Sequence, residues 1–275
     1  MNSSQESSYG VTSQRNTGSV EDQHLEALFT KGFSVITGVL GEDELAQTRT
    51  LLDNVYRQQV EEAASVNLKL ESIHEENVAR MPFAYDPFFT DLLQRPSIME
   101  YVKKVLGGYF VLHLQNGIIN LPNEKHHQSS WHRDLPYQDF VISNPLAVNA
   151  LYCIDEFSEK TGATFVLPFS HKMESIPSAG YIEKNGFQVT APAGSVILMD
   201  SMVFHKAGYN SSAITRRAIN HVYVAGIIRQ QVNIPVMLKG KYADDPFLKM
   251  LLGYETQEAA SVLEYRLKRK NKLKG

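Results

Sequence analysis

Apolar residues follow two different spacings along this chain, and the change from one to the other falls near residue 109. Residues 42–66 and 97–106 carry large apolar side chains at helical intervals, and the second segment ends at Gly107. Residues 33–39, ahead of both, are typical of a short strand. The N-terminal part is therefore predicted to be mostly helical.

Beyond residue 109 the apolar runs are short, rich in β-branched and aromatic residues, and separated by Pro, Gly, Asn and Ser. Many short strands without intervening helices are typical of an antiparallel jelly roll with two sheets. We therefore predict a mainly β fold with flanking helices, a cupin-like double-stranded β-helix. The predicted strands are 109–114, 117–121, 146–154, 163–167, 187–190, 195–199 and 216–225, and closing helices are predicted at 245–254 and 257–270.

The same pattern predicts a division of the chain. Residues 1–20 are rich in Ser, Gln, Asn and Gly and are expected to be disordered. Residues 21–275 are expected to form one domain, because 275 residues with 43% hydrophobic composition can bury one large core. Within it we predict a helical part over 21–108, a jelly-roll core over 109–227 and C-terminal helices over 244–270.

The net charge of the chain limits the kinds of molecule that it is expected to bind. The formal net charge is −3 and the pI is near 6.3, so nucleic acid is an unlikely partner. The basic last ten residues are interpreted as a solvated helix end, with nucleic-acid binding by this tail as the alternative. No apolar run approaches the ~20 residues that span a bilayer, so no membrane segment is expected. The chain is expected to bind a small-molecule substrate as a monomer or homodimer.

The cysteine count and the N-terminal sequence indicate the cellular compartment in which the protein is expected. The only cysteine is Cys153, so an intrachain disulfide cannot form. The start MNSSQESSYG has neither the charged nor the apolar region of a signal peptide. A soluble protein of the reducing cytoplasm is therefore the expectation.

A His-x-acid pair is the first sign of metal chemistry. With 9 histidines and 30 acidic residues among 275, about one such pair is expected by chance. The chain has three, which begin at His24, His74 and His132. Residues two apart share a face only in an extended segment, and His24 and His74 lie in stretches that favour helix. His132 and Asp134 lie between strand-like segments and form the pair that can chelate.

A third ligand is predicted at His205, which follows an apolar strand and a turn. Two imidazoles and one carboxylate on one face of an octahedron leave three positions for a bidentate 2-oxo acid and dioxygen. The alternative is that His205 is a buried core histidine. Arg216 favours the interpretation of His205 as a metal ligand. An inward-facing arginine needs a carboxylate partner, and the distal carboxylate of 2-oxoglutarate would match its planar fork. Arg217 should face the other way and form a surface contact.

These residues resemble the phytanoyl-CoA dioxygenase (PhyH) family, which includes ectoine hydroxylase, from about Lys31 to Tyr254. The shared segments are GFSVITGVLGEDELAQTRTLL, WHRD, EKTGATFVLPFSHK and HKAGYNSSAITRRAINHVYV. The resemblance implies a dioxygenase that uses Fe(II), 2-oxoglutarate and O2 and hydroxylates a small metabolite, releasing succinate and CO2. It implies iron ligation by His132, Asp134 and His205, and an anchor for the 2-oxoglutarate C5 carboxylate at Arg216.

The resemblance also suggests weaker assignments and two departures. Gln115 matches a glutamine that contacts the co-substrate, and Asn149 holds a similar inward position; for both, a buried amide bound to neighbouring backbone is the alternative. Lys206-Ala207 replaces a common Gly-Ser, so a hydroxyl contact to the co-substrate is expected to be missing. Phe169 stands where glycine is common.

Substrate identity is left open by the sequence. A small polar or anionic metabolite is favoured because Lys206, Asn220 and Arg229 are expected near the mouth of the site. Core packing is the alternative for two of the aromatic candidates, Trp131 and Phe204. The predicted substrate-contacting residues are Trp131, Tyr137, Phe204, Lys206 and Asn220.

Hydroxylation has rivals. The carboxylate of Asp134 favours it over halogenation, since halogenating relatives have a small residue there, while desaturation stays open. Two other functions remain: a cupin-like metalloenzyme of redox-neutral type, and a metal- or 2-oxoglutarate-binding module without turnover.

Overall fold

The computed structural model describes residues 18–135 and 141–273. The helices are α1 (Val20–Lys31), α2 (Glu42–Ser65), α3 (Pro82–Tyr85), α4 (Phe88–Leu93), α5 (Pro96–Leu106), α6 (Ala179–Asn185), α7 (Ile234–Leu238), α8 (Pro246–Leu251) and α9 (Val262–Lys272). The strands are β1 (Phe33–Ile36), β2 (Val78–Arg80), β3 (Phe110–Asn120), β4 (Ala147–Cys153), β5 (Phe165–Val166), β6 (Phe187–Gln188), β7 (Val196–Asp200), β8 (His205–Lys206) and β9 (Arg216–Ala225).

The strands form two antiparallel sheets. The larger sheet has the order β1-β7-β4-β9-β3-β2, and the smaller has the order β6-β5-β8. Helices α1, α2, α3 and α5 pack against the larger sheet, and its strands β3, β4 and β7 are buried along their whole length. The predicted mainly β jelly roll with flanking helices is confirmed, although two strands of the larger sheet, β1 and β2, come from the N-terminal part.

Strand β3 was predicted as two strands, and this prediction is wrong. It is a single strand of 11 residues with an irregularity between Leu112 and Leu114. Gly117 is a packing position rather than a turn, because a Cβ there would lie 2.1 Å from Leu52 Cδ1. The missing side chain lets α2 lie across the strand.

Strand register separates the side chains of the larger sheet into an inner and an outer face. Asn116 of β3 lies opposite Asn220 of β9, and Asn120 lies opposite Arg216. Directly opposed residues share a face, so these four point to the same side, which we call the inner face. Gln115 lies opposite His221 and points to the other side, towards the helices.

Several element boundaries differ from the predicted ones. Helix α1 begins at Val20, and Ser19 caps it by accepting a hydrogen bond from the Asp22 amide, so the predicted disordered segment of residues 1–20 ends too late. Residues 1–17 lie outside the described part of the chain. The basic C-terminal segment forms the exposed helix α9, in which Lys268 pairs with Glu264 at 2.8 Å.

Over residues 18–135 and 141–273, no helix is both long enough and apolar enough to cross a bilayer.

Candidate metal centre and co-substrate pocket

The segment that contains His132 is extended and pairs with β8. The backbone amides and carbonyls of His132 and His205 exchange two hydrogen bonds of 3.0 Å, and the Asp134 amide donates to Ser201 O at 3.2 Å. His24 lies in α1, and His74 ends a short 3-10 helix at Leu70–Ile73 with a positive φ of 56°. Only the His132 pair therefore has the extended backbone that the sequence argument required.

Three side chains converge beside this pairing. Ligand atoms of His132, Asp134 and His205 all lie within 4.8 Å of one another, and no second such group occurs among the described residues. Asp134 Oδ1 lies 3.7 Å from His132 Nε2 and 3.4 Å from His205 Nε2. The three atoms thus face a common point.

Both imidazoles are held in one orientation by the backbone. His132 Nδ1 lies 2.8 Å from Ser130 O, and His205 Nδ1 lies 2.9 Å from Val203 O. A carbonyl oxygen only accepts, so each Nδ1 carries the proton and each Nε2 offers a lone pair. This is the usual arrangement of histidines that bind a metal.

The carboxylate of Asp134 is fixed just as firmly. Its Oδ2 accepts hydrogen bonds from Asn149 Nδ2 and from Asn220 Nδ2, the latter at 3.1 Å, and Oδ1 is left to face the imidazoles. Burial alone would raise the pKa of Asp134, but the His205 and His132 imidazoles and the Asn149 amide outweigh burial and hold that pKa well below its ordinary value. Asp134 is therefore charged, and its Oδ1 faces the Nε2 atoms of both imidazoles. The same carboxylate outweighs burial and raises the pKa of His205.

This donor set fits a divalent iron ion. Two imidazole nitrogens and one carboxylate oxygen on one face are the ligands of non-haem Fe(II) oxygenases. The fixed Nε2 atoms and the free Oδ1 atom satisfy that requirement without rearrangement of the hydrogen bonds described above.

Arg216 is the largest fully buried side chain of the inner face, at 1% exposure. Its Nη2 donates to Gly162 O at 3.0 Å and its guanidinium lies 4.4 Å from the ring centroid of Phe157, but its buried Nε has no partner. Burial lowers the pKa of Arg216 to about 10, so the group stays charged at neutral pH. Among the described residues it forms no ion pair with a carboxylate.

Gly162 positions the carbonyl that Arg216 contacts. Its φ is +75°, and a Cβ at this position would lie 2.6 Å from Gly208 O and 2.8 Å from Asn120 Nδ2. Only glycine combines this backbone conformation with so close an approach of two chain segments. The TGAT segment thus brings a backbone acceptor to the guanidinium.

A cavity joins the triad to Arg216. It also contains residues that sequence reasoning missed: Thr164 and Gln128 supply polar groups, and Ala207 occupies the position where the expected hydroxyl is missing. The lining residues are Ile118, Gln128, His132, Asp134, Leu151, Thr164, Met199, His205, Ala207, Arg216 and Asn220.

Gln115 does not reach this cavity, and its predicted contact with the co-substrate is wrong. Its Oε1 accepts from the Phe83 amide at 2.8 Å, and its Nε2 contacts Phe89 O at 3.1 Å and His221 Nε2 at 2.9 Å. Strand alternation places it on the outer face, one residue away from the inner-facing Asn116. Asn149 does lie on the inner side, but its amide is bound to Asp134 and Ser201.

Phe204 packs in the core, which was the alternative to a substrate contact: it is 5% exposed, its ring lies 3.9 Å from the Arg133 guanidinium carbon, and it does not line the cavity. Arg133, the third residue of WHRD, donates to the carbonyls of Met202, Ser170 and Glu174 and so holds the metal-site loops together. Sequence reasoning gave Arg133 no role.

Lys206 lies on the opposite side of β8 from His205. Its Nζ is 5.3 Å from the ring centroid of the half-buried Trp131 and 5.2 Å from that of Phe165. Tyr137 lies outside the described residues, so its predicted role stays a prediction.

The fold and the two-histidine, one-carboxylate site define a class, the jelly-roll metalloenzymes. The profile of the phytanoyl-CoA dioxygenase (PhyH) family matches residues 29–218, and the chain belongs to this family. This confirms the resemblance seen in the sequence. The family's dioxygenases use Fe(II), 2-oxoglutarate and O2, which are the expected cofactors.

The chain is also similar to a mycobacterial protein and shares its fold with solved structures. The chain is 34% identical over 254 residues to the uncharacterised protein Rv1501 of Mycobacterium tuberculosis, covering 89% of this chain and 90% of that protein. The structure of EctD from S. alaskensis with 2-oxoglutarate and 5-hydroxyectoine has a TM-score of 0.63 and 19% identity, over 76% of this chain and 77% of that chain. The epimerase SnoN, in complex with Fe3+, alpha-ketoglutarate and nogalamycin RO, has a TM-score of 0.56 and 17% identity over 75% and 84%. These two share the fold and differ in reaction.

Proposed function

We propose that this protein is a Fe(II)- and 2-oxoglutarate-dependent oxygenase that hydroxylates a C–H bond of a small polar metabolite. His132 Nε2, His205 Nε2 and Asp134 Oδ1 would hold the iron. When bound, the iron activates O2 while 2-oxoglutarate is decarboxylated to succinate and CO2. The reducing cytoplasm expected from the sequence would keep the iron ferrous.

The state of Arg216 carries the proposal. A buried cation without a carboxylate partner destabilises the fold by several kcal/mol in general, so its retention calls for an anionic ligand. The C5 carboxylate of 2-oxoglutarate would accept from the guanidinium at the inner end of the cavity. Its 2-oxo acid end would then lie towards the triad, which lines the same cavity.

The surrounding residues have separate roles in this proposal. Asn149 and Asn220 would keep Asp134 in place through Oδ2, so that Oδ1 stays available as a single ligand atom. The apolar walls supplied by Ile118, Leu151 and Met199 would exclude water from the co-substrate.

The carboxylate of Asp134 supports hydroxylation over halogenation, because it fills the ligand position that halogenating relatives leave to halide. Substrate placement decides between hydroxylation and other oxidative outcomes, such as desaturation or epimerisation. Asn220 favours a polar substrate, since it places an amide beside the triad, whereas Lys206 lies on the other side of β8 against Trp131.

Uncoupled turnover tests the proposal without a known substrate. Protein loaded with Fe(II) is expected to convert 2-oxoglutarate slowly to succinate in air, and to stop when iron or O2 is withheld. Asp134→Ala should abolish the conversion, whereas His74→Ala, an exposed histidine of a second His-x-acid pair, should leave it unchanged. No succinate with or without a broad panel of polar metabolites would instead favour a binding module or a redox-neutral enzyme.

A further inference from the structure

Two asparagines of neighbouring strands face each other beside the triad. Asn116 on β3 and Asn220 on β9 are directly opposed in register, and both are on the inner face. Side chains in such a pair have Cβ atoms about 4.5–5.5 Å apart. Their amide groups are therefore close enough to contact one functional group of a ligand.

Asp134 settles the orientation of the Asn220 amide. The carboxylate accepts only, so the atom 3.1 Å from Asp134 Oδ2 must be Asn220 Nδ2, and Oδ1 points elsewhere. The Asn220 side chain is only 8% exposed, and its Oδ1 is buried and has no hydrogen-bond partner. Asn220 thus presents an unused acceptor in the cavity that contains the triad.

Asn116 adds a second unused acceptor. The residue is 5% exposed and its Oδ1 is likewise buried without a partner. A buried acceptor left unpaired costs free energy, and two opposed acceptors on adjacent strands raise that cost until a donor arrives. Their shared register and the contact of one with Asp134 distinguish this pair from other buried acceptors of the chain.

We propose that Asn116 and Asn220 form an acceptor subsite for the primary substrate, and that this substrate carries an amide or amine N–H next to the carbon that is oxidised. The inference rests on the proposed function, since it places this group beside the proposed iron ligand Asp134. It names the substrate class as a nitrogen-bearing metabolite with at least one N–H donor.

A matched pair of probes tests the subsite. N-butylacetamide and butyl acetate have the same number of non-hydrogen atoms and differ in an N–H replaced by an ester oxygen. Ligand-observed NMR would measure their dissociation constants for protein loaded with Zn(II) and 2-oxoglutarate. An apolar pocket prefers the ester, because the amide N–H loses water on binding.

The subsite predicts the reverse, with the amide bound about tenfold more tightly than the ester in the wild-type protein. Asn116→Leu should remove this preference and Asn116→Asp, which keeps acceptor oxygens, should retain it. Asn271→Leu, on the exposed α9, is the matched control and should also retain it. Thermal unfolding of each variant checks its fold, and Asn116→Ala replaces Asn116→Leu if the latter does not fold.

Three results would overturn the subsite: no amide binding, equal or tighter ester binding in wild type, or an amide preference that survives the loss of the Asn116 acceptor. The anaerobic visible spectrum of the same protein with Fe(II) and 2-oxoglutarate separates this failure from failure of the proposed function. If Fe(II) and 2-oxoglutarate give a weak visible charge-transfer band and the amide preference is absent, only the subsite is wrong.

Discussion

At the scale of the residue, the face of a strand decides what an arginine does. Arg216 and Arg217 are neighbours at the start of β9, yet they point to opposite sides of the sheet. Arg217 forms a two-bond ion pair with Asp53, at 2.8 Å for each bond, and also contacts Asp155. Arg217 was correctly predicted to lie on the other face, but its contact is a half-buried ion-pair network that ties α2 to β9, not an ordinary surface contact.

The two arginines therefore supply a matched pair of variants. Arg216→Ala is expected to weaken 2-oxoglutarate binding about 100-fold, because a charge-assisted, bidentate contact to its carboxylate is lost. Arg217→Ala should leave that dissociation constant within about twofold and lower the free energy of unfolding instead. Anaerobic titration of the Fe(II)-loaded proteins with 2-oxoglutarate measures both constants. Equal effects of the two substitutions would mean that the anchor is misplaced.

Asn149 offers a second test at this scale. Its amide donates to the Asp134 oxygen that faces away from the imidazoles, so Asn149→Leu should lower metal affinity about tenfold to 100-fold, as loss of a residue behind a metal ligand commonly does. Competition between Co(II) and a chromogenic chelator measures this affinity. Asn185→Leu, on exposed α6, is the control, and an unchanged Co(II) affinity in Asn149→Leu would show that Asp134 needs no such support.

Residue roles could be predicted from the sequence where the local backbone conformation alone decides them. The choice of His132 over His24 and His74 was possible because backbone type alone decides whether residues two apart can converge. Gln115 could not be placed, because its face depends on which β9 residue lies opposite it. The role of Arg133 was also hidden, since its acceptors come from loops about 40 to 70 residues further along the chain.

At the scale of the element, β3 shows a limit of pattern reading. Gly117 resembles a break between two strands, and in this chain it is the point where α2 crosses one continuous strand. A glycine in a strand marks either a turn or a close approach, and only the tertiary contact tells these apart. Strands with a longer apolar run, such as β9, were predicted with correct bounds.

Gly117→Ala tests this packing. Its new Cβ would displace the Leu52 side chain, so the free energy of unfolding should fall by about 1–3 kcal/mol, as in other overpacked cores. Gly180→Ala is the control: no atom lies within 4 Å of its Cβ position in α6, and alanine favours helix. Urea unfolding measures both variants. A Gly117→Ala protein as stable as the wild type would show that α2 does not press on β3.

At the scale of the whole molecule, one buried carboxylate links folding to pH. Asp200 ends β7 beside the metal-site loops and is 3% exposed, and its Oδ1 accepts from the Met202 amide at 2.9 Å. Burial raises the pKa of Asp200 to about 6, although the Met202 amide and nearby cations oppose the shift. Folding therefore takes up a proton at mildly acidic pH.

The sign of the resulting pH dependence is definite. Below about pH 4 Asp200 is protonated in both the folded and the unfolded state. Between about pH 4 and 6 it ionises only in the unfolded state, so the free energy of unfolding falls as pH rises. Above about pH 6 the loss levels off at up to about 3 kcal/mol. Asp200→Asn keeps the acceptor and should gain about 2 kcal/mol on the wild type between pH 4.5 and 7.5, because about 1 kcal/mol of the loss is already present at pH 4.5. Urea unfolding of metal-free protein measures this difference. A constant difference between the two proteins would contradict the shift.

The overall fold was largely predictable, because short strands without helices between them have few arrangements and the motif order matched one family. The substrate was not, since the polar groups of the inner face come from strands about 100 residues apart in sequence. Their convergence depends on the pairing of β3 with β9 and cannot be seen in either segment alone.

In the proposed active site, His132, Asp134 and His205 hold Fe(II) next to 2-oxoglutarate, which is anchored at Arg216. The most direct test is the visible spectrum of the protein with Fe(II) and 2-oxoglutarate under anaerobic conditions. We expect a weak charge-transfer band in the wild-type protein and in His74→Ala, and its loss in His205→Ala. A wild-type protein without this band, or a His205→Ala protein with an undiminished one, would contradict the assignment.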